Sequence, residues 1–296
     1  MEADDGMGDV WLRQPPYRGM PVDISPAHTA CVAVMHADTI TRNRSFWWDR
    51  ARCAYADVPA LEAVIFDVDG TIADTERDGH RLAFNAAFAH HGLNVYWDVA
   101  EYGRLLRITG GERRIAADLL DRGYGQAAGE LATAVHRTKT ALFRDSILNG
   151  DIDPRPGLLD LIWGLHCAGI RIGIATTGRR SWVEPLVRQL IGDGVVEVTI
   201  TGDDVTRLKP DPEAYQRALH ELGIRPDAAM AIEDSAVGLR AARGAGLATV
   251  IVTTDYTAHQ DFTGAAAVLP GYDGLEPLSA RHCKRLHDRW WLGQRQ

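Results

Sequence analysis

From residue 157 to residue 253 the chain alternates helical and strand-like runs, and no other feature constrains its fold as strongly. A helical stretch at 157–168 precedes the strand-like IRIGIAT, 170–176. SWVEPLVRQLI is amphipathic, with Ser181 and Glu184 spaced as a capping box at its start. VVEVTIT, 195–201, alternates as a strand. DPEAYQRALHELG, 211–223, opens with Asp211 as cap and Pro212 in the first turn. AAMAIE reads as a strand, SAVGLRAARGAG as a helix and LATVIVT as a strand. Such alternation predicts an α/β fold, a Rossmann-like parallel sheet core with helices on both faces. An earlier apolar run in LEAVIFDVDGT, 61–71, reads as a buried strand ending in a functional turn. Residues 77–148 then carry helical spacing with no strand signal, which predicts an inserted all-helical cap domain.

The expected organisation follows. Residues 1–59, broken by Pro15, Pro16, Pro21 and Pro26, read as a poorly ordered N-terminal extension or a docking segment. The core domain is expected over 60–75 and 156–275, and the helical cap domain over 76–155. Residues 276–296 form a basic C-terminal tail, read as a terminal helix or a frayed end. The chain is 46% hydrophobic, enough to bury a core, which excludes disorder throughout. It has no run of about 18 apolar residues, so no transmembrane helix and no membrane partner are expected. With 32 basic and 40 acidic residues its formal charge is −8, which argues against a nucleic-acid partner. An anionic substrate on such a chain needs a local cation, from a metal or from Lys and Arg. Cys31, Cys53, Cys167 and Cys283 are scattered without zinc spacing, and reduced thiols are the simplest reading. The acidic start MEADDGMGD fits neither a secretory signal nor a transit peptide, so a cytoplasmic protein is expected, and a monomer.

In an open α/β sheet, ligands sit at the carboxyl ends of the strands. Four polar groups fall at such ends: Asp67 and Asp69, Thr176 and Thr177, Lys209, and Glu233 with Asp234. Any one alone reads as an ordinary turn or solvated loop. All four in one sheet point to a site. Carboxylates gathered in one place repel each other and any phosphate. Mg²⁺ resolves that, because it takes oxygen ligands and bridges to phosphate oxygens. Asp67 can then attack phosphorus as a covalent nucleophile, while Asp69 protonates the leaving oxygen and later activates water. Lys209 neutralises Asp67 and the transferring group, and Thr176 donates to a phosphoryl oxygen.

These residues, in this order, resemble the haloacid dehalogenase superfamily. FDVDGT matches its first motif, Thr176 in IATTG the second, Lys209 the third, and Glu233-Asp234 in IEDSAVGL the fourth. The resemblance implies a phosphatase of small phosphosugars with Mg²⁺ held by Asp67, the Asp69 carbonyl and Asp234, and Glu233 in support. Asp69 favours a phosphate ester over a C–Cl or C–P bond, since the dehalogenase and phosphonatase branches lack an acid there. DGTIADTERDGHRLAFNAAF, YGRLLRITGGERRI and HRTKTALF look like the CbbY-type branch, over about residues 61–270. That branch dephosphorylates xylulose 1,5-bisphosphate. The likeness implies that Glu76 lies near sugar hydroxyls, that Gly110, Gly111 and Arg114 hold the distal phosphate, and that His136 and Lys139 form a cap pair.

Two departures stand out. Glu112 replaces the lysine of the branch's GGKER loop, and sets a carboxylate where a second phosphate is expected. Arg113 and Arg114 can compensate by forked contacts. Gly178 replaces a Ser or Thr in the second motif, removing a donor. Taken singly, Arg107, Arg113 and Arg114 read as solvated helix charges, and His136 and Lys139 read equally well as ligands or structure. A phosphosugar mutase of the β-phosphoglucomutase type would use the same core residues. A catalytically idle binding module is the third reading, against which all four motifs are intact.

Overall fold

The computed structural model describes residues 58–108 and 110–294. The expectation of a poorly ordered extension over 1–59 lies outside these residues, save for the last two. Six strands form one parallel sheet: β1 Ala63–Phe66, β2 Arg171–Ala175, β3 Val198–Ile200, β4 Ala229–Glu233, β5 Ala248–Val252 and β6 Ala267–Leu269. Their order is β3-β2-β1-β4-β5-β6. The short β6, half-exposed and three residues long, carries no readable period and was not anticipated from the sequence.

The helices are α1 Arg81–His90, α2 Val99–Leu105, α3 Gly111–Asp121 and α4 Ala128–Asn149, all between β1 and β2. After them come α5 Leu158–Cys167, α6 Arg180–Ile191, α7 Glu213–Leu222, α8 Ala236–Gly244 and α9 Ala280–Gly293. A π-helical turn, Thr75–His80, leads from the β1 loop into α1. The expected α/β core with an inserted helical cap is therefore present.

Residue size separates the two faces of the sheet. One face carries Val64, Phe66, Ile172, Ile174, Met230 and Ile232, and packs on α5, α6 and α9. The other carries Ala63, Ile65, Ala175, Ala229 and Ala231, whose small side chains let α7 and α8 approach through Ala218, Ala241 and Ala242. The cap has its own cluster, built on Phe84, Phe88, Trp97, Tyr102, Ile115 and Leu119. Burying one such Phe or Leu contributes about 1.5–3 kcal/mol, so each layer holds itself together by apolar burial.

Two local expectations are corrected. The capping box at Ser181 does not form: α6 starts at Arg180, which places Ser181 inside the helix. The first N–H of that helix, on Arg180, instead donates to Asp203 Oδ2 at 2.9 Å, and Glu184 pairs with Arg180. Asp211 does accept from Glu213 N at 3.0 Å, but the helix begins at Glu213 and leaves Pro212 just outside. The basic C-terminal segment is a docked helix, α9, that buries Cys283, Leu286 and His287 against α5 and β5. Cys283 is a free, buried thiol. Among the described residues, no helix is long and apolar enough to cross a membrane.

Candidate active site

The strand order reverses between β1 and β4, and an open α/β sheet places its ligand crevice at such a reversal. Phe66 pairs with Ile232, and Asp67 N extends the ladder to Ile232 O at 3.0 Å. That register sets Asp67 abreast of Glu233 and Asp234. Carboxylate oxygens of these three buried residues lie within 4.8 Å of one another. On the other flank, Thr176 N donates to Ile200 O at 3.0 Å, carrying the β2–β3 ladder up to the crevice.

Lys209 reaches the acids from the loop after β3. Its Nζ is 2.6 Å from Asp67 Oδ1 and 2.6 Å from Glu233 Oε1, with a side chain only 5% exposed. Tyr215 donates to the same Glu233 oxygen at 2.7 Å. Burial opposes the Lys209 charge, but the Asp67 and Glu233 carboxylates outweigh it and hold its pKa above the ordinary value. Burial pushes Asp67 up to about 7, despite Lys209. Burial also raises Asp69 to about 6, with the Thr75 hydroxyl, which donates to Asp69 Oδ1, pulling the other way. Asp234 is held well above its usual range by burial and then by the Glu233 and Asp67 charges.

The donor set fits a hard divalent ion. Three clustered carboxylates face one ammonium, so the site is short of positive charge. Glu233 is fully engaged, with Oε1 taking Lys209 and Tyr215 and Oε2 facing Asp234 N and Ser235 Oγ. The Asp234 carboxylate, 8% exposed, accepts no hydrogen bond among the described residues. A buried carboxylate without a donor is costly unless a cation offsets it. Gly70, at φ +77°, makes room for it: a Cβ there would lie 2.4 Å from Asp234 Oδ2.

A cavity of about 350 Å³ opens over these groups, lined by Asp67, Asp69, Glu76, Lys209, Asp234 and Tyr256 among others. Thr177 lines it too and is exposed. Thr176 lies beneath, 1% exposed, and its Oγ1 accepts from Gly178 N at 3.0 Å, which leaves its own proton to donate. A larger cavity of about 610 Å³ opens beside Asp153–Pro156, where the chain returns from cap to sheet. Its two arginines are already committed: Arg77 pairs with Asp255 at 2.8 Å, and Arg155 binds backbone. The chemistry-bearing acids converge on the smaller cavity.

The cap residues divide. Glu76 lines the cavity and accepts from Tyr102 Oη at 2.5 Å. Arg114 is buried, not solvated as its helical position suggests; it donates to Tyr102 Oη at 3.1 Å and to Leu105 O at 3.1 Å. Lys139 is also buried, over the Phe84 and Phe143 rings, with its ammonium 2.7 Å from His80 Nδ1. Burial lowers Lys139 to about 8, and burial with the Lys139 charge keeps His80 neutral, an acceptor. His136 packs against Gly111, and burial lowers its pKa. Gly110, Gly111, Arg114, His136 and Lys139 do not line the 350 Å³ cavity. Glu112 is exposed and accepts from Thr133 Oγ1 at 2.7 Å, and Arg113 is exposed.

Sequence reasoning missed Thr75, Tyr102, Tyr215 and Arg155. Arg155 donates to Val252 O at 2.8 Å and to Thr253 O at 2.7 Å, and also to Gly70 O, tying the returning cap strand to the β1 turn. Only its place after Pro154 in an otherwise loop-like stretch could have drawn notice.

Comparison with known proteins agrees with this geometry. Residues 61–246 match the haloacid dehalogenase-like hydrolase family. The chain is 43% identical over 222 residues to protein CbbY of Cereibacter sphaeroides, covering 74% of this chain and 96% of that one. It is 37% identical over 215 residues to a CBBY-like protein of Arabidopsis thaliana, covering 70% and 67%. A crystal structure of CbbY from Rhodobacter sphaeroides in complex with xylulose 1,5-bisphosphate aligns with a TM-score of 0.60 at 42% identity, covering 73% of this chain and 97% of that one.

Proposed function

The chain belongs to the haloacid dehalogenase-like hydrolase family and is an enzyme of its phosphatase kind, and from that premise we propose that it hydrolyses the phosphate ester of a small phosphosugar, xylulose 1,5-bisphosphate in the first place. The observation that carries the chemistry is the Lys209 ammonium, buried and bonded to Asp67, in a wall of acids at the switch point of the sheet. The substrate rests on likeness to CbbY, one of whose structures holds that bisphosphate. Glu112 is exposed and does not line the 350 Å³ cavity.

The steps follow from the groups present. An Asp67 carboxylate oxygen attacks phosphorus, and the bond from phosphorus to the sugar oxygen breaks. Asp69, whose raised pKa keeps part of it protonated near neutrality, gives its proton to that leaving oxygen. Water then attacks the phospho-aspartate, Asp69 takes its proton, and phosphate departs with Asp67 restored. Lys209 stays fixed by Glu233 and Tyr215, so its charge faces the transferring group without reorganising. Asp67, Asp234 and the Asp69 carbonyl would hold Mg²⁺, with Glu233 supporting through Lys209. The ion supplies the positive charge that keeps Asp67 ionised and offsets its repulsion with a phosphate dianion. Residues 60–75 and 156–275 serve as the catalytic domain and 76–155 as the cap that covers the substrate.

The test is phosphate release from a panel of sugar phosphates with Mg²⁺, using wild type and Asp67→Asn. The expected result is turnover by wild type and loss of at least about 10³-fold in the variant. Full activity in Asp67→Asn overturns the mechanism. Product analysis by ³¹P NMR distinguishes hydrolysis from the mutase reading, which would return a rearranged sugar phosphate.

A further inference from the structure

Tyr256 follows β5 on the sheet side, in a turn closed by Thr254 and Thr257: Thr254 N donates to Thr257 Oγ1 at 2.9 Å, and Tyr256 N to Thr254 Oγ1 at 3.2 Å. Its ring leaves the sheet. It belongs to the apolar cluster of the cap, whose other buried members all fall between Phe84 and Val135. It meets the Tyr102 ring edge-on at 5.8 Å and crowds α2, where a Cβ on Gly103 would lie 3.0 Å from it. The same side chain lines the cavity of Asp67 and Glu76.

The residue is 9% exposed, and its hydroxyl is buried with no hydrogen-bond partner. Its charged neighbours already have partners: Arg81 donates to Arg77 O and Trp97 O, Arg77 pairs with Asp255, Asp74 accepts from Arg77 N, and Glu76 accepts from Tyr102. A buried hydroxyl left unmatched is unfavourable, and one on a side chain that lines a cavity can be completed by a ligand there. The catalytic steps give it no role.

We infer that Tyr256 determines specificity: its hydroxyl hydrogen-bonds a hydroxyl of the bound phosphosugar on the Glu76 side of the cavity, so one side chain both seats the cap on the sheet and reads the sugar. The inference rests on the phosphosugar reading above. The chemistry it selects is a hydroxylated carbon chain next to the scissile phosphate, as against a bare alkyl or aryl ester.

The experiment compares wild type with Tyr256→Phe, which removes the oxygen and keeps the ring. The readout is the ratio of kcat/KM for the best sugar phosphate of the panel to that for phenyl phosphate, which has no hydroxyl to offer. The expected result is a fall of about tenfold in that ratio, the worth of one hydrogen bond. The melting temperature of the ligand-free variant should be unchanged or raised, because no protein hydrogen bond is lost. A ratio within twofold of wild type overturns the inference, as does an equal loss on both esters with a lowered melting temperature. Wild type that cleaves phenyl phosphate but no sugar phosphate overturns the phosphosugar reading itself, and this inference with it.

Discussion

Gly178 stands where related second motifs carry Ser or Thr, and the structure gives a steric reason. A Cβ there would lie 2.4 Å from Trp182 Cζ2 and 2.7 Å from Val183 Cγ2. Carbon atoms rest about 3.5–4.0 Å apart, so the indole would have to withdraw by about 1 Å. It has little space to do so, because its edge meets the Phe143 ring at 5.6 Å and the His80 ring at 6.4 Å. Gly178→Ser should therefore destabilise by about 1–3 kcal/mol through overpacking. In a chain of this size each kcal/mol lowers the melting temperature by about 2–4 °C. Trp182→Ala removes the obstacle and loses packing, at about 2–3 kcal/mol for a half-buried indole. Once the ring is gone only Val183 Cγ2 still crowds the serine, so the double variant should lose less than the sum of the two single changes. Urea unfolding of the four proteins yields the coupling energy, expected at about 1–3 kcal/mol in favour of the pair. Additivity to within about 0.5 kcal/mol would refute the steric account and leave Gly178 to a conformational or catalytic cause.

Other expectations follow from single contacts. Burial lowers Lys139 from 10.5 to about 8; between those values the folded chain binds fewer protons there than the unfolded one, so this group adds stability as pH rises through the window and opposes folding below it. Lys139→Met should lack that dependence, so the stability difference between wild type and variant in urea unfolding should change across the window, and a constant difference would refute the shift. Gly70→Ala should displace Asp234, given the 2.4 Å approach and the φ of +77°; the expected result is an activity loss of about 10²-fold or more with a raised Mg²⁺ requirement, read from titration with the metal, and an unaltered requirement would refute it. Arg155→Met removes charged hydrogen bonds to Val252 O and Thr253 O and should cost about 2–3 kcal/mol in urea unfolding, without which its clamping role fails.

How far the fold could be read from the chain depended on what each segment had to satisfy locally. β1, β2, β4 and β5 are buried on both faces, so they appear as short apolar runs bounded by turns, and their existence was plain. β6 is half-exposed and three residues long, and gives no such run. The cap at the start of α6 was misread because Ser181 and Glu184 have the right spacing, while the group that satisfies the helix end is Asp203, on a different loop. A pattern within four residues cannot reveal a partner supplied by tertiary contact.

The same distinction separates the acids from the cap. Asp67, Lys209, Glu233 and Asp234 must present particular charges at the ends of particular strands, so their types and positions are fixed together and the sequence shows them. What organises them is less visible. Glu233 looks like one more metal ligand on the chain, yet its oxygens are taken by Lys209, Tyr215, the Asp234 N–H and Ser235. Its charge is needed to hold Lys209 against Asp67, because an ammonium buried to 5% exposure would otherwise lose its proton or swing away. That leaves Asp234, whose carboxylate has no donor among the described residues, for the proposed ion. One negative charge therefore positions the lysine and another is left for the metal, a division that depends on Tyr215 from α7 reaching across the sheet. No spacing rule encodes that reach. It arises because the small residues on that face of β2, Gly173 and Ala175, let α7 lie close enough for its tyrosine to arrive.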